Sequence, residues 1–508
     1  MKIDHLQDLS IEDVVRVAVQ AEKIEISEST IRAISESNKR VKHILEAEKP
    51  VYGINTGFGI FANKTIDKNS IKKLNRNLIL SHSVATGKPL NVRVVRAAML
   101  IRAFTLAKGF SGLRPEIIQT IIEMLNRGVI PVIPQKGSLG SSGDLCQLSH
   151  MALVFSKDEQ DLEEESGQAI YNGKVLTGKK AMEEAGLQRF ALEAKEGLAI
   201  NNGATFSAAI AALAVYEAEY LVEIAEIATA LSMEALCARS NVLDKRVHIA
   251  RRQIGQIQVS NHINTLILNS TLLDSKKQVQ DSYSIRCAPQ VIGAILDTVN
   301  YVKTIVEREI NAVTDNPLIF ETGEAISGGN FHGEPIGLVM DFLSIAMSEL
   351  GAISERRTFR LTDEKLSNGL PPMLVSDYES AGLNSGMMLP QYTAASLVLE
   401  NQTLASPDSI RSLPTSANQE DHNSNAMTAA RHAYEIIENL RQILSIEIYA
   451  ALRGIEIRLQ NDEGQLGEGT AKIVDTLRNQ ISFVKEDTIW GLEINKIYRL
   501  LEEHKLQV

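Results

Sequence analysis

The chain has 508 residues, enough for a large buried core, and its 44% hydrophobic and 23% charged content is that of an ordinary globular protein. A net charge of −11, spread along the chain, excludes the basic face that nucleic-acid binding requires and fits a cytoplasmic protein. The three cysteines, Cys146, Cys237 and Cys287, are far apart and have no CxxC spacing, which points to reduced core thiols and away from disulfides or a metal site.

The N-terminus, MKIDHLQDLSIEDVVRVAVQ, is charged early and has no continuous apolar core, so it does not read as a signal peptide. Over the first 200 residues short helical pieces alternate with Gly- and Pro-rich turns: GINTGFG at 53–59, KGFSGLRP at 108–115 and PVIPQKGSLGSSGD at 131–144. The run Gly137-Ser138-Leu139-Gly140-Ser141-Ser142-Gly143-Asp144 admits three readings. It is a flexible turn, or a phosphate cradle (weakly, since no Lys follows at P-loop spacing), or a segment that cyclises on itself. In the third reading the Gly143 nitrogen attacks the Ser141 carbonyl and Ser142 loses its hydroxyl, leaving a methylidene-imidazolone electrophile. Glycine is needed there because its nitrogen must approach with no Cβ in the way. Around 167–177, AIYNGKVLTG places an Asn-Gly turn between apolar runs and predicts a strand pair.

A boundary near 200 divides the chain into 1–200, carrying the Ser141-Ser142-Gly143 loop, and 201–508, a long-helix bundle. Apolar residues at helical spacing predict helices over 204–237, 289–312, 336–357, 386–404 and 427–460. In the last, Ile436, Leu440, Leu444, Ile448 and Leu452 recur at i, i+4. The stretch 204–237 also carries Glu217, Glu219, Glu223 and Glu226, which are costly in hydrocarbon, so it reads as a core helix and not a membrane span. Helices this long and apolar pack on more than one side, in a thick bundle or an oligomer.

The segment GSLGSSGDLCQLSHMAL at 137–153 resembles the prosthetic-group loop of the histidine and aromatic amino acid ammonia-lyases. VYGINTGFG at 51–59, QVQDSYSIRCAPQVIGA at 278–294, ISGGNFHGEP at 326–335, NSGMMLPQYTAASLVLEN at 384–401 and SLPTSANQEDH at 412–422 are similar to further segments of that family. The resemblance implies a mainly α fold, with a smaller N-terminal electrophile-bearing domain followed by a long helical bundle of the fumarase/aspartase-like kind. It also implies a homotetramer with shared active sites and a small amino acid substrate, with neither a nucleic acid nor a membrane as partner. The electrophile would be a methylidene-imidazolone formed autocatalytically from Ser141, Ser142 and Gly143, with no diffusible cofactor and no metal.

Carried over residue by residue, the resemblance makes Tyr52 the base for the β proton. Its pKa is near 10 when unperturbed, so the role calls for neighbours that favour the phenolate, which helix N-termini aimed at the site would supply. Arg286 would pair with the substrate carboxylate through its planar fork. Tyr283 and Asn202 would stand beside the electrophile, Gln280 and Glu420 near the substrate, and Phe331 in the pocket wall. Asp144 and His422 would shape loops. Ser81 and His82 resemble the pair of the histidine-selective members, and an imidazole suits a ring with polar nitrogens. The activity implied is elimination of ammonia from L-histidine to give urocanate.

Several positions depart from the family pattern. The usual triplet Ala-Ser-Gly is Ser141-Ser142-Gly143, an X-Pro pair is replaced by Cys146-Gln147, the Asn-Gly-Thr segment reads Asn202-Gly203-Ala204-Thr205, and Gln402 stands where Lys is usual. Loss of the proline would relax the turn that favours cyclisation. These departures motivate alternatives: a lyase that works without the imidazolone on a histidine betaine such as ergothioneine, releasing trimethylamine; a 2,3-aminomutase; and a catalytically inert helical scaffold.

Overall fold

The computed structural model describes residues 1–47, 49–461 and 463–506. The fold is mainly α, as expected: among the described residues helices dominate, and strands occur only as short pairs and one three-stranded sheet. The long helices fall close to the predicted ranges, at Thr205–Ala235, Ala288–Ile310, Glu334–Thr362, Met388–Leu404 and Ala426–Gln460. The predicted strand pair forms from Gln168–Tyr171 and Lys174–Thr177, antiparallel, with Ile130–Pro131 added beside the first strand. Asn172 (φ 48) and Gly173 (φ 73) make the turn with both central residues left-handed, the geometry whose twist matches the paired strands.

By internal contacts the chain forms two compact units that interleave along the sequence. One comprises Met1–Tyr216, Lys303–Asp341 and Pro407–Arg431; the other comprises Glu217–Val302, Phe342–Ser406 and His432–Val508. The division expected at residue 200 is a division by sequence order, whereas segments far apart in sequence share each unit.

In the first unit, helix Val92–Ala107 is mostly apolar, with Arg96 and Arg102 among its buried residues, and is buried on every face from Val94 onward. It packs against Ile11–Ala18 and Pro115–Arg127. The former is started by a capping box between Ser10 and Asp13, the latter by a proline in its first turn. Removing each such Leu, Ile or Val from water contributes roughly 1.5–3 kcal/mol, which holds the platform beneath the loop at 137–143.

In the second unit, the row Ile436, Leu440, Leu444, Ile448 and Leu452 is buried throughout. A four-residue step overshoots the 3.6-residue turn, so this row winds around the helix and needs partners on several sides. Glu447 lies fully buried among them. It accepts from Arg357 Nε at 2.5 Å and Nη2 at 2.8 Å, from Ser232 Oγ at 2.7 Å and from Ser354 Oγ at 2.6 Å. A buried carboxylate satisfied this completely ties three helices in one register and would be costly in any other.

Candidate active site

The loop at 137–143 is held where several helices begin. Asp144 precedes helix Leu145–Phe155 and is fully buried. Its carboxylate accepts from Ser138 Oγ (2.8 Å), Ser207 N (2.8 Å) and Ser207 Oγ (2.8 Å), so it clamps the loop to the first turn of helix Thr205–Ala235. Burial pushes this carboxyl up from the usual range, and the donated hydrogen bonds oppose that. Gly140 O accepts from Gly333 N (2.8 Å) and Ser424 Oγ (3.1 Å), and Leu139 O from Asn425 N (2.8 Å), which brings in the starts of helices Glu334–Thr362 and Ala426–Gln460. Helix N-termini carry partial positive charge, worth about 0.3–1 kcal/mol each toward an anion.

Gly143 (φ 78) lies against Gly203 (φ 129), paired by Asp144 N to Gly203 O at 2.8 Å and Gly203 N to Ser142 O at 3.1 Å. A Cβ on Gly143 would stand 1.9 Å from the Gly203 carbonyl carbon, and one on Gly203 would stand 2.2 Å from Thr314 O. Two glycines are therefore required for the chain to pass this closely. Asn202, turned so that both ends of its amide are paired, donates to Ser142 O at 3.0 Å and accepts from Asn316 N at 3.2 Å. The compressed turn with no room for a Cβ at 143, and two donors on the Ser142 carbonyl, suit the cyclised form of Ser141-Ser142-Gly143. The proline missing at 147 has a substitute: Gln147 is fully buried and its Nε2 donates to Pro134 O at 3.3 Å, while Cys146 Sγ donates to Gly137 O at 3.4 Å.

Tyr52, His82, Ser141, Ser142, Asn202, Phe331 and Glu420 all line one cavity of about 1570 Å³ in the first unit. Glu420 reaches the loop: Ser141 Oγ donates to its Oε2 at 2.7 Å and Ser142 Oγ to its Oε1 at 3.0 Å. The glutamate's backbone is pinned to Thr415 by bonds of 2.8 and 3.3 Å. His82 ends helix Ile71–His82, with Ser81 Oγ 3.0 Å from its Nδ1. Burial pulls the His82 imidazole below its usual range against the opposing pull of Leu78 O and the Glu420 carboxylate, which favours the neutral ring. Phe331 sits beside His332. His332 Nε2 lies 3.2 Å from His422 O, the two imidazoles stack with centroids 5.9 Å apart, and Glu334 N donates to His332 Nδ1 at 3.3 Å.

Tyr52 stands among groups that act on its phenol in opposite directions. Burial raises its phenol above the usual range and the Glu420 carboxylate adds to that; only the Gly59 N–H, 3.5 Å away, works the other way. Desolvation and a like charge together outweigh one long hydrogen bond, so the net shift is upward.

Gln280, Tyr283 and Arg286 belong to the second unit, and the cavity lining lies wholly in the first. Within their unit they stand together: Arg286 donates to Gln280 Oε1, and its guanidinium lies 4.8 Å from the centre of the Tyr283 ring. Tyr283 is 70% exposed.

Sequence reasoning missed the layer behind the loop. Asn316, which pairs with Asn202, also lines the cavity. Arg102 is fully buried, donates to Ala199 O and reaches Thr205 Oγ1 and Thr314 O at 3.4 Å. Lys195 and Asp315 form a fully buried ion pair at 2.8 Å. The available signal was a charged residue inside an otherwise apolar helix, as in MLIRAFTLA, since such a charge is retained only where it is paired.

The sequence profile of the aromatic amino acid lyases matches residues 9–479. The chain is similar to the histidine ammonia-lyase of Alkaliphilus oremlandii, at 47% identity over 499 residues, 97% of this chain and 95% of that one. Among solved structures it is similar to histidine ammonia-lyase from Trypanosoma cruzi, with 36% identity and a TM-score of 0.90 over 99% of this chain and 94% of that one. It is also similar to phenylalanine aminomutase from Pantoea agglomerans, with 31% identity and a TM-score of 0.93 over 99% of each chain.

Proposed function

The chain belongs to the aromatic amino acid lyase family, and from that premise we propose that it eliminates ammonia from L-histidine to give urocanate, in the cytoplasm. The observation that carries this is the convergence, on one cavity, of an imidazole (His82), a carboxylate (Glu420), a phenol (Tyr52) and a loop whose Gly143–Gly203 contact leaves no room for a side chain.

Ser141, Ser142 and Gly143 would hold the methylidene-imidazolone, which supplies an electrophile for the substrate amine and so makes ammonia a leaving group. Asn202 and the Gly203 N–H hold the Ser142 carbonyl in place. His82 and Glu420 take the two nitrogens of the substrate imidazole: a neutral ring pairs with one, and the carboxylate accepts from the N–H of the other. Phe331 walls the cavity. Tyr52 takes the β proton as phenolate, and the helix N-termini at the loop favour that anion. Arg286 binds the substrate carboxylate bidentately, with Gln280 and Tyr283 beside it. We place these three in the site of a neighbouring subunit, in a homotetramer.

The test is an absorbance assay with L-histidine, with ammonia measured in parallel. Urocanate with stoichiometric ammonia is the expected result. Trimethylamine from a histidine betaine, with no turnover of histidine, would establish the betaine-lyase reading instead, and a β-amino acid product would establish a mutase.

A further inference from the structure

Two hydroxyls hold the Glu420 carboxylate from the loop side, and their fates differ. In the cyclisation, the Ser141 carbonyl oxygen leaves as water with the Gly143 and Ser142 amide hydrogens. The Ser142 hydroxyl leaves as a second water with the Ser142 α hydrogen. The bonds formed join Gly143 N to the Ser141 carbonyl carbon and make that carbon's link to Ser142 N a double bond, and a further double bond forms between Ser142 Cα and Cβ. Ser142 Oγ, which occupies Glu420 Oε1 at 3.0 Å, is thereby lost. Ser141 Oγ, on Oε2 at 2.7 Å, is untouched, because Ser141 gives only its carbonyl to the ring.

We propose that the Ser141 hydroxyl is a positioning residue for Glu420, holding Oε2 in the mature site so that Oε1, vacated by Ser142, faces the ring N–H of the substrate. Ser141 is 7% exposed, so water competes poorly for its hydroxyl. A hydrogen bond to a carboxylate is short and directional, about twice as strong as a neutral one. A glutamate side chain has rotamers to lose, so fixing it before substrate arrives removes an ordering cost from binding. Where this family usually has alanine in the triplet, no such tether exists. The inference rests on the histidine reading for the identity of the substrate ring.

The experiment compares Ser141→Ala, Ser141→Thr, Glu420→Gln and the Ser141→Ala/Glu420→Gln double variant with the parent. Intact mass is read first, and Ser141→Ala should lose both waters as the parent does. Its kcat/KM on L-histidine should then fall roughly tenfold, the order of one hydrogen bond to a charged group, mainly through KM. Ser141→Thr should restore it, and the loss should vanish in the Glu420→Gln background. In crystal structures of the matured proteins the Glu420 carboxylate should leave its place in Ser141→Ala and keep it in Ser141→Thr. A Ser141→Ala enzyme within about twofold of the parent, or a loss equal with and without Glu420, overturns the proposal. So does a Ser141→Ala chain that keeps its waters. A parent inactive on L-histidine overturns only the substrate reading, and the position of Glu420 in the crystal structures still decides the role of Ser141.

Discussion

Tyr52 and Glu420 pull against each other. The carboxylate that suits a substrate imidazole also disfavours the phenolate, and burial works in the same direction. The sign follows directly: a phenol whose pKa is raised supplies more base as pH rises, so the acid limb of the kcat/KM profile should still be climbing at pH 9. Glu420→Gln removes one raising charge and should move that limb to lower pH, even as the rate itself drops. A limb that stays in place would show that Tyr52 is not the titrating base. Tyr52→Phe should lower kcat roughly 10²–10⁴-fold with the fold intact by circular dichroism. The residue types at 52, 82 and 420 were legible in the sequence. The direction of the pKa shifts at Tyr52 and His82 was not, because it depends on how much water each loses and on which charges, distant along the chain, come to face it.

At the scale of elements, the loop at 137–143 owes its shape to segments far from it in sequence. Gly203, Ser207, Gly333, Ser424 and Asn425 each bond to it or to Asp144. Gly143→Ala introduces a left-handed non-glycine residue whose Cβ meets the Gly203 backbone, a strain on the order of 1–3 kcal/mol. The expected outcome is a folded chain with a lowered Tm that keeps both waters by intact mass. Loss of both waters at the parental extent would show that the Gly143–Gly203 contact is not needed for cyclisation. The helices themselves were readable from period alone, since a long apolar run at 3.6 spacing has few other solutions. The Gly-Ser loop was not: its composition suits a flexible turn or a cyclised electrophile, an anion cradle only weakly, and its neighbours in the fold bear on which it is.

For the whole molecule, Tyr52 and Arg286 belong to different units, which turns the proposed sharing of sites between subunits into a measurable quantity. If each site takes Tyr52 from one subunit and Arg286 from another, co-expressing Tyr52→Phe and Arg286→Ala chains should restore roughly a quarter of parental activity, since random mixing leaves that fraction of sites intact. Mixed oligomers with no activity would place both residues in one chain's site. By itself the sequence determined the helical class, the long helices and the residue types of the site, because periodicity and reactive side chains are local properties. Tertiary structure alone decided the interleaved units, the Gly143–Gly203 contact, the bond from Ser141 to Glu420 and the direction of the Tyr52 pKa shift. Each of these arises from groups that are distant in sequence and meet only after the chain has folded, where exclusion of water sets the strength of every charge and hydrogen bond.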